Sequence, residues 1–205
     1  MPKQTFFNLP KSKKKTLIQA AKQEFSRAPI YQASISNIVK SAGIARGSFY
    51  QYFEDKEDIF FFLLDEHAKQ RKESFIAALK ENDGDIFVTI AKVFQLMLEE
   101  LPTQENRNFF KNAFLHMTHR MESSFSRIFN DNGNGEQLKE MSRLINRANL
   151  NFENEREFYH VMQIITTVTF RNFVDKFAKE LTNEEVMENF NLEMKLLKDG
   201  LYKKR

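Results

Sequence analysis

The sequence predicts an all-α protein, and two observations carry that expectation. Glycine and proline are scarce, six and four in 205 residues, where an all-β chain needs many tight turns. Apolar residues also recur at three- and four-residue intervals through most of the chain. Phenylalanine reaches 22 while tryptophan is absent, which suggests an aromatic core or a ring-lined cavity. A chain of this length can bury roughly 70% of its unfolded surface, so it needs no covalent staples.

Composition excludes several function classes. There is no cysteine, hence no disulfide, thiolate metal site or cysteine nucleophile. The six glycines stand at 43, 47, 84, 133, 135 and 200, so neither GxGxxG nor GxxxxGK[ST] occurs. No GxSxG elbow is present either, and we expect neither an enzyme nor a bound cofactor. Mean hydropathy is −0.54, the longest apolar run is 59–64, and Met1-Pro2-Lys3-Gln4 is not apolar. These features predict a soluble, cytoplasmic protein without membrane contact.

The elements follow in order. Asn8-Leu9-Pro10 opens the first helix, with proline in its first turn, and Leu17, Ala20, Ala21 and Phe25 form its buried stripe. Pro29 ends it. Ser34 or Ser36 caps the next helix, whose apolar face is Ile35, Ile38, Val39 and Ala42 and whose stop is Gly43. A third short helix follows, with Phe49 and Phe53 inward and Arg46, Gly47, Tyr50 and Gln51 outward. Residues 55–81 form a helix about 40 Å long whose apolar start must be enclosed by neighbours. Further helices are expected over 86–101, closed by Pro102, then from a Thr103 cap through Phe110, Phe114 and Met117 toward Phe129. The 130–135 loop precedes helices over 136–148 and 155–181. Thr182-Asn183-Glu184-Glu185 fits a capping box that starts the last helix.

Charge is unevenly placed. The net value is only +3, yet up to Tyr52 there are nine basic residues against the single acid Glu24. The rest of the chain holds 22 basic and 27 acidic residues. A basic N-terminal quarter on a mildly acidic body reads as a nucleic-acid-facing end. Two short helices joined at Gly43 form a helix-turn-helix, whose second helix fits the DNA major groove. Lys13, Lys14 and Lys15 stand as phosphate contacts or as a solvated helix end.

The run from Ser34 to Ile59, with Ala42-Gly43-Ile44, Gly47-Ser48-Phe49-Tyr50-Gln51-Tyr52-Phe53 and Lys56-Glu57-Asp58, resembles the DNA-binding signature of the tetracycline-repressor (TetR) family. With Ile18-Gln19-Ala20-Ala21 and Phe25 the resemblance covers roughly residues 10–65. It implies a DNA-binding domain over 8–68 and a helical effector-binding and dimerisation domain over 69–205. It also implies a homodimeric transcriptional regulator, usually a repressor, that a small molecule releases from its DNA operator. The DNA-contacting residues it implies are Ala45, Arg46, Gly47 and Ser48, the group Tyr50, Gln51 and Tyr52, then Lys56, with Ser34 or Ser36 heading the preceding helix. The sequence departs from the family's pattern at Ala45, where serine or threonine is common, and at Pro29, near a usual glycine.

In the body, Phe94, Phe110, Phe114, His116, Met117 and Phe170 are candidate walls of an effector pocket, with Arg120 and Arg171 for an anionic head group. His116 and His119 have a spacing that suits two metal ligands, but no third is identifiable and no metal is expected. Met187, Phe190, Met194, Leu197 and Leu201 form a heptad-like seam. With Phe158, Ile165 and Phe173 they are the expected dimer interface, two helices from each subunit. A second class, a helical interaction protein answering to a protein partner, is distinguished from the first by the basic head and the 46–56 segment.

Overall fold

The computed structural model describes residues 1–99, 101, 103–116 and 142–201 of the chain. Among them the regular elements are helical: α1 (Gln4–Phe7), α2 (Lys11–Arg27), α3 (Ile35–Ala42), α4 (Arg46–Tyr52), α5 (Lys56–Glu81), α6 (Ile86–Glu99), α7 (Gln104–Leu115), a 3-10 turn (Arg147–Asn149), α8 (Glu155–Ala178) and α9 (Asn183–Leu201). The fold class is all-α, with an N-terminal helix-turn-helix. None of these helices is long and apolar enough to cross a membrane. Two compact units emerge, Met1–His67 with Leu101–Phe125, and Ala68–Glu100 with Ser126–Arg205.

The first unit is the head. Its core is Phe6, Leu17, Phe25, Ile38, Phe49, Phe53, Ile59, Phe60 and Phe109, all at 2% exposure or less. Each such side chain contributes about 1.5–3 kcal/mol of burial. The apolar start of α5 is enclosed as expected, with Ile59, Phe60, Phe61, Leu63 and Leu64 buried. Two additions to the expected three helices stand out. A short helix forms before Asn8, so α1 precedes the main helix and Pro10 is the N-cap of α2 instead of its first residue. The unit also takes in α7, which packs on α2. Asn112 Nδ2 donates to the carbonyls of Phe25 (2.9 Å) and Ser26 (3.0 Å), groups the end of α2 leaves without helical partners. Ser26 Oγ donates to the Glu105 carbonyl at 2.9 Å.

In the second unit α6, α8 and α9 share a core in which Phe94 stacks on Phe190 at 4.3 Å and meets Phe173 edge-on at 5.7 Å. The capping box forms as expected: Glu185 N–H donates to Thr182 Oγ1 (3.2 Å), and Thr182 N–H to Glu185 Oε2 (2.8 Å). Thr103 Oγ1 likewise accepts from Asn106 N–H at the start of α7 in the head. Three helix ends fall short of expectation. α7 ends at Leu115, while 117–141, including Met117, His119, Arg120, Phe125 and Phe129, lies outside the described residues, as does Pro102. α8 stops at Ala178 because Glu180 turns left-handed at φ 54 and returns the chain toward α9. The expected 136–148 helix reaches only 144; the chain then bends to give Asn146 N–H to the Gly84 carbonyl at 2.9 Å.

Of the residues expected at a dimer seam, Phe158, Ile165, Phe173, Phe190 and Met194 lie at 5% exposure or less within the subunit's own core. Met187 and Leu197 are half-buried, and the side chain of Leu201 is outside the described set. The apolar side chains that α8 and α9 leave exposed are Ile164 (43%), Leu192 (58%) and Leu196 (63%).

Gly84 makes the corner between α5 and α6 at φ +78, and a Cβ there would lie 2.4 Å from Leu144 O and 2.6 Å from Asn146 N. Both obstacles are backbone. Gly84→Ala should therefore cost about 3 kcal/mol, from left-handed strain plus overpacking, in urea unfolding. An unchanged midpoint would show that the corner yields.

Candidate functional site

The candidate site is the exposed face of α3, α4 and the turn between them. Gly43 takes φ 65 and ψ 33 as the C-cap of α3, with its N–H on the Lys40 carbonyl and the Ile44 N–H on that of Val39. A left-handed glycine at this position ends the helix at little cost and aims the chain into α4. Ala45 is the N-cap of α4 and has no side-chain oxygen to offer its free N–H groups. Phe49 and Phe53, four apart, are both fully buried, and their rings lie 5.5 Å apart. That pins one face inward and leaves Arg46, Gly47, Tyr50 and Gln51 exposed, with Ser48 and Tyr52 half-buried.

Three of the sequence-predicted residues meet in one cluster. The Arg46 guanidinium donates to Ser36 Oγ (2.7 Å) and to the Tyr50 hydroxyl (3.2 Å), and lies 5.8 Å from the centre of the Tyr50 ring. Ser36 is thus a partner of Arg46, not a helix cap. Ser34 is the N-cap residue of α3, but its side chain makes no capping bond. Lys56 is turned elsewhere: its ammonium donates to the carbonyls of Tyr31 and Ala33, each at 3.1 Å, and holds the α2–α3 loop. Of the lysine run, Lys14 donates to the Phe7 carbonyl at 2.6 Å, while Lys13 and Lys15 are exposed.

Sequence reasoning passed over Glu24, the acid within the basic quarter. It is 5% exposed, and its carboxylate accepts two hydrogen bonds from Arg27 (2.7 and 2.9 Å), one from Ser34 N–H (2.7 Å) and two from the Asn37 amide (3.2 Å each). The group ties the end of α2 to the head of α3. Burial alone would raise its pKa. The bonds from Arg27, Ser34 and Asn37 outweigh that and hold it below the ordinary value.

The proposed pocket residues are spread over both units. In the head, Phe110 stacks on Phe114 at 5.8 Å, and the His116 ring meets Tyr31 edge-on at 5.3 Å. In the second unit Phe94 is plain core, Phe170 is half-buried, and Arg171 is an exposed side chain near Asp175 (3.8 Å) and Glu193 (3.4 Å). Arg171 therefore sits in a surface ion-pair network.

Residues 17–62 match the family described as bacterial regulatory proteins, tetR family, and residues 85–201 the tetracyclin repressor-like C-terminal domain. An uncharacterized HTH-type transcriptional regulator of Bacillus subtilis, YdgC, is 38% identical over 94 residues, covering 42% of this chain and 48% of that protein. The fatty acid metabolism regulator protein of the same organism is 33% identical over 84 residues, covering 40% and 43%. The chain spans about half the length, or less, of the curated relatives it matches. Among solved structures, Bacillus subtilis FadR in complex with stearoyl-CoA superposes with a TM-score of 0.63 at 20% identity, over 91% of this chain and 98% of that one. SmeT, the repressor of a Stenotrophomonas maltophilia multidrug efflux pump, gives 0.67 at 11% identity, over 97% and 93%. At these identities the likeness to the solved structures is one of fold.

Glu24 sets a pH window. Its folded pKa lies below the ordinary 4.5, so its stabilisation is complete above the unfolded value and is lost as pH falls through the folded one. Glu24→Gln should cost about 1–3 kcal/mol at neutral pH. In urea titrations the gap to the parent protein should stay constant above about pH 5 and close below it. A gap that persists at low pH would refute this account of the group.

Proposed function

The chain belongs to the tetracycline-repressor family of transcriptional regulators, whose C-terminal domain matches residues 85–201, more than half its length, and on that premise we propose a homodimeric repressor released from a palindromic operator by a small hydrophobic effector. The observation that carries this reading is the two-faced character of α4. Phe49 and Phe53 are sealed in the core, while Arg46, Gly47, Tyr50 and Gln51 stand together outside. Gly47 adds independent support. Among the described residues a Cβ there would meet nothing within 4 Å, and its backbone is ordinary helix, so none of them calls for a glycine. A DNA backbone lying against that face does.

In the proposed complex α4 enters the major groove. Arg46 turns to guanine or to phosphate, and Ala45, Ser48, Tyr50, Gln51 and Tyr52 line the same approach, beside Ser34 and Ser36. Exposed Lys13, Lys15 and Lys40 supply sequence-independent attraction. Lys56 acts indirectly, by fixing the loop that carries α3. Two copies meet through the exposed apolar face of Ile164, Leu192 and Leu196, with their reading helices roughly 34–36 Å apart. The effector reading rests on the fold shared with an acyl-CoA-bound regulator. Such a ligand shifts the DNA-binding equilibrium only by its difference in affinity for the two states.

The test is a titration of the purified protein on the DNA upstream of its own gene, across a salt series. Tight binding that falls steeply with salt is expected, with Arg46→Ala weakening it about 10- to 100-fold. Sequence-indifferent binding, unchanged by Arg46→Ala, would count against a repressor. Lys56→Met should keep the salt slope of the parent protein and lower stability by about 1 kcal/mol. A slope reduced by about one would return Lys56 to the phosphates.

A further inference from the structure

We infer that residues 3–7 form a strap that sets the position of the recognition helix, an inference that rests on the DNA-reading role of α4 for its consequence but not for its geometry. α4 is only seven residues long, and of its last four carbonyls only that of Phe49 finds a partner in the helix and its cap. Each of them is nevertheless bonded. Phe49 O accepts from Phe53 N–H at 2.9 Å, which is the helix's own closing bond. The other three belong to the strap. Tyr50 O accepts from the Lys3 ammonium at 2.8 Å, Gln51 O from the Thr5 hydroxyl, and Tyr52 O from the Lys3 backbone N–H at 2.8 Å.

The strap is itself anchored. Phe6 is 2% exposed, with its ring 4.9 Å from that of Phe53 and 5.2 Å from that of Phe62. Lys14 closes the far end, its ammonium on the Phe7 carbonyl at 2.6 Å and 6.0 Å from the centre of the Phe6 ring. The partners are 46 or more residues away in sequence, so the strap is a tertiary device and not a local cap.

Two physical effects concentrate at one place. A cation at a helix C-terminus meets the negative end of the helix dipole, so Lys3 is favourably placed as a charge as well as a donor. The carbonyls it and Thr5 hold belong to Tyr50 and Gln51, the residues whose side chains stand on the DNA-facing side. Without the strap the last turn of α4 is free to fray, and fraying moves those two side chains. Lys3 thus serves operator binding as a positioning residue, although it belongs to the basic quarter.

The experiment uses the full chain with Lys3→Met, Thr5→Val, the double variant and Lys3→Arg. On the free protein, amide hydrogen exchange should quicken by about tenfold over Tyr50–Phe53 in the double variant, and stay unchanged in α2 and α3. On DNA, the double variant should lose about tenfold in operator affinity, with non-specific affinity and the salt slope of the parent protein retained. Lys3→Arg should restore most of both, because the guanidinium keeps charge and donors. Unchanged exchange in α4 would overturn the strap. So would a salt slope lowered by about one in Lys3→Met with equal losses on operator and random DNA, which marks a direct phosphate contact. Failure of the parent protein to prefer any DNA would refute the repressor reading alone, and the exchange measurement would still decide the strap.

Discussion

A seven-residue helix does not hold itself together in water, where even good helix formers need about 12–15 residues to be more than marginal. The head of this protein supplies from outside the order that α4 lacks. Phe49 and Phe53 fasten its underside to the aromatic core, Gly43 fixes the angle at which it leaves α3, and the N-terminal strap takes up the carbonyls at its end. One level further out, Glu24 fixes α3 to α2, Lys56 fixes the loop before α3, and Asn112 on α7 closes the end of α2.

How much of this the sequence disclosed follows from the range of each signal. The α3–turn–α4 segment was legible because its signals are local: an i, i+3, i+4 apolar face, a glycine stop, and two phenylalanines four apart. The caps at Thr103 and Thr182 were legible for the same reason, the latter as a pattern of four residues. The family resemblance supplied roles for residues in that stretch and none for the rest. The over-extended helices at 144 and 178 share a different cause. Periodicity marks where a helix is tolerated, whereas these ends are set by Glu180 turning left-handed and by the Gly84 carbonyl claiming Asn146, neither of which leaves a local trace.

What stayed hidden was partnership across distance. The spacing of Phe190 and Met194 said that they share a face, but not that the subunit's own α6 and α8 cover it. Lysine composition gave the head its sign, yet Lys3, Lys14 and Lys56 all spend their charge on backbone carbonyls of the head itself. A basic composition therefore overstates the charge available to a phosphate backbone. The two adjacent phenylalanines at 6 and 7 were the available hint of the strap.

The Arg46 cluster has a consequence for affinity. In the free protein the guanidinium already holds the hydroxyls of Ser36 and Tyr50, so docking on a base or phosphate is an exchange of partners. The net gain is the difference between two sets of bonds, and the side chain arrives with much of its rotamer entropy already surrendered. An Arg46 contact of the proposed kind therefore separates one site from another by the difference between two bonded states, not by the full strength of a new bond.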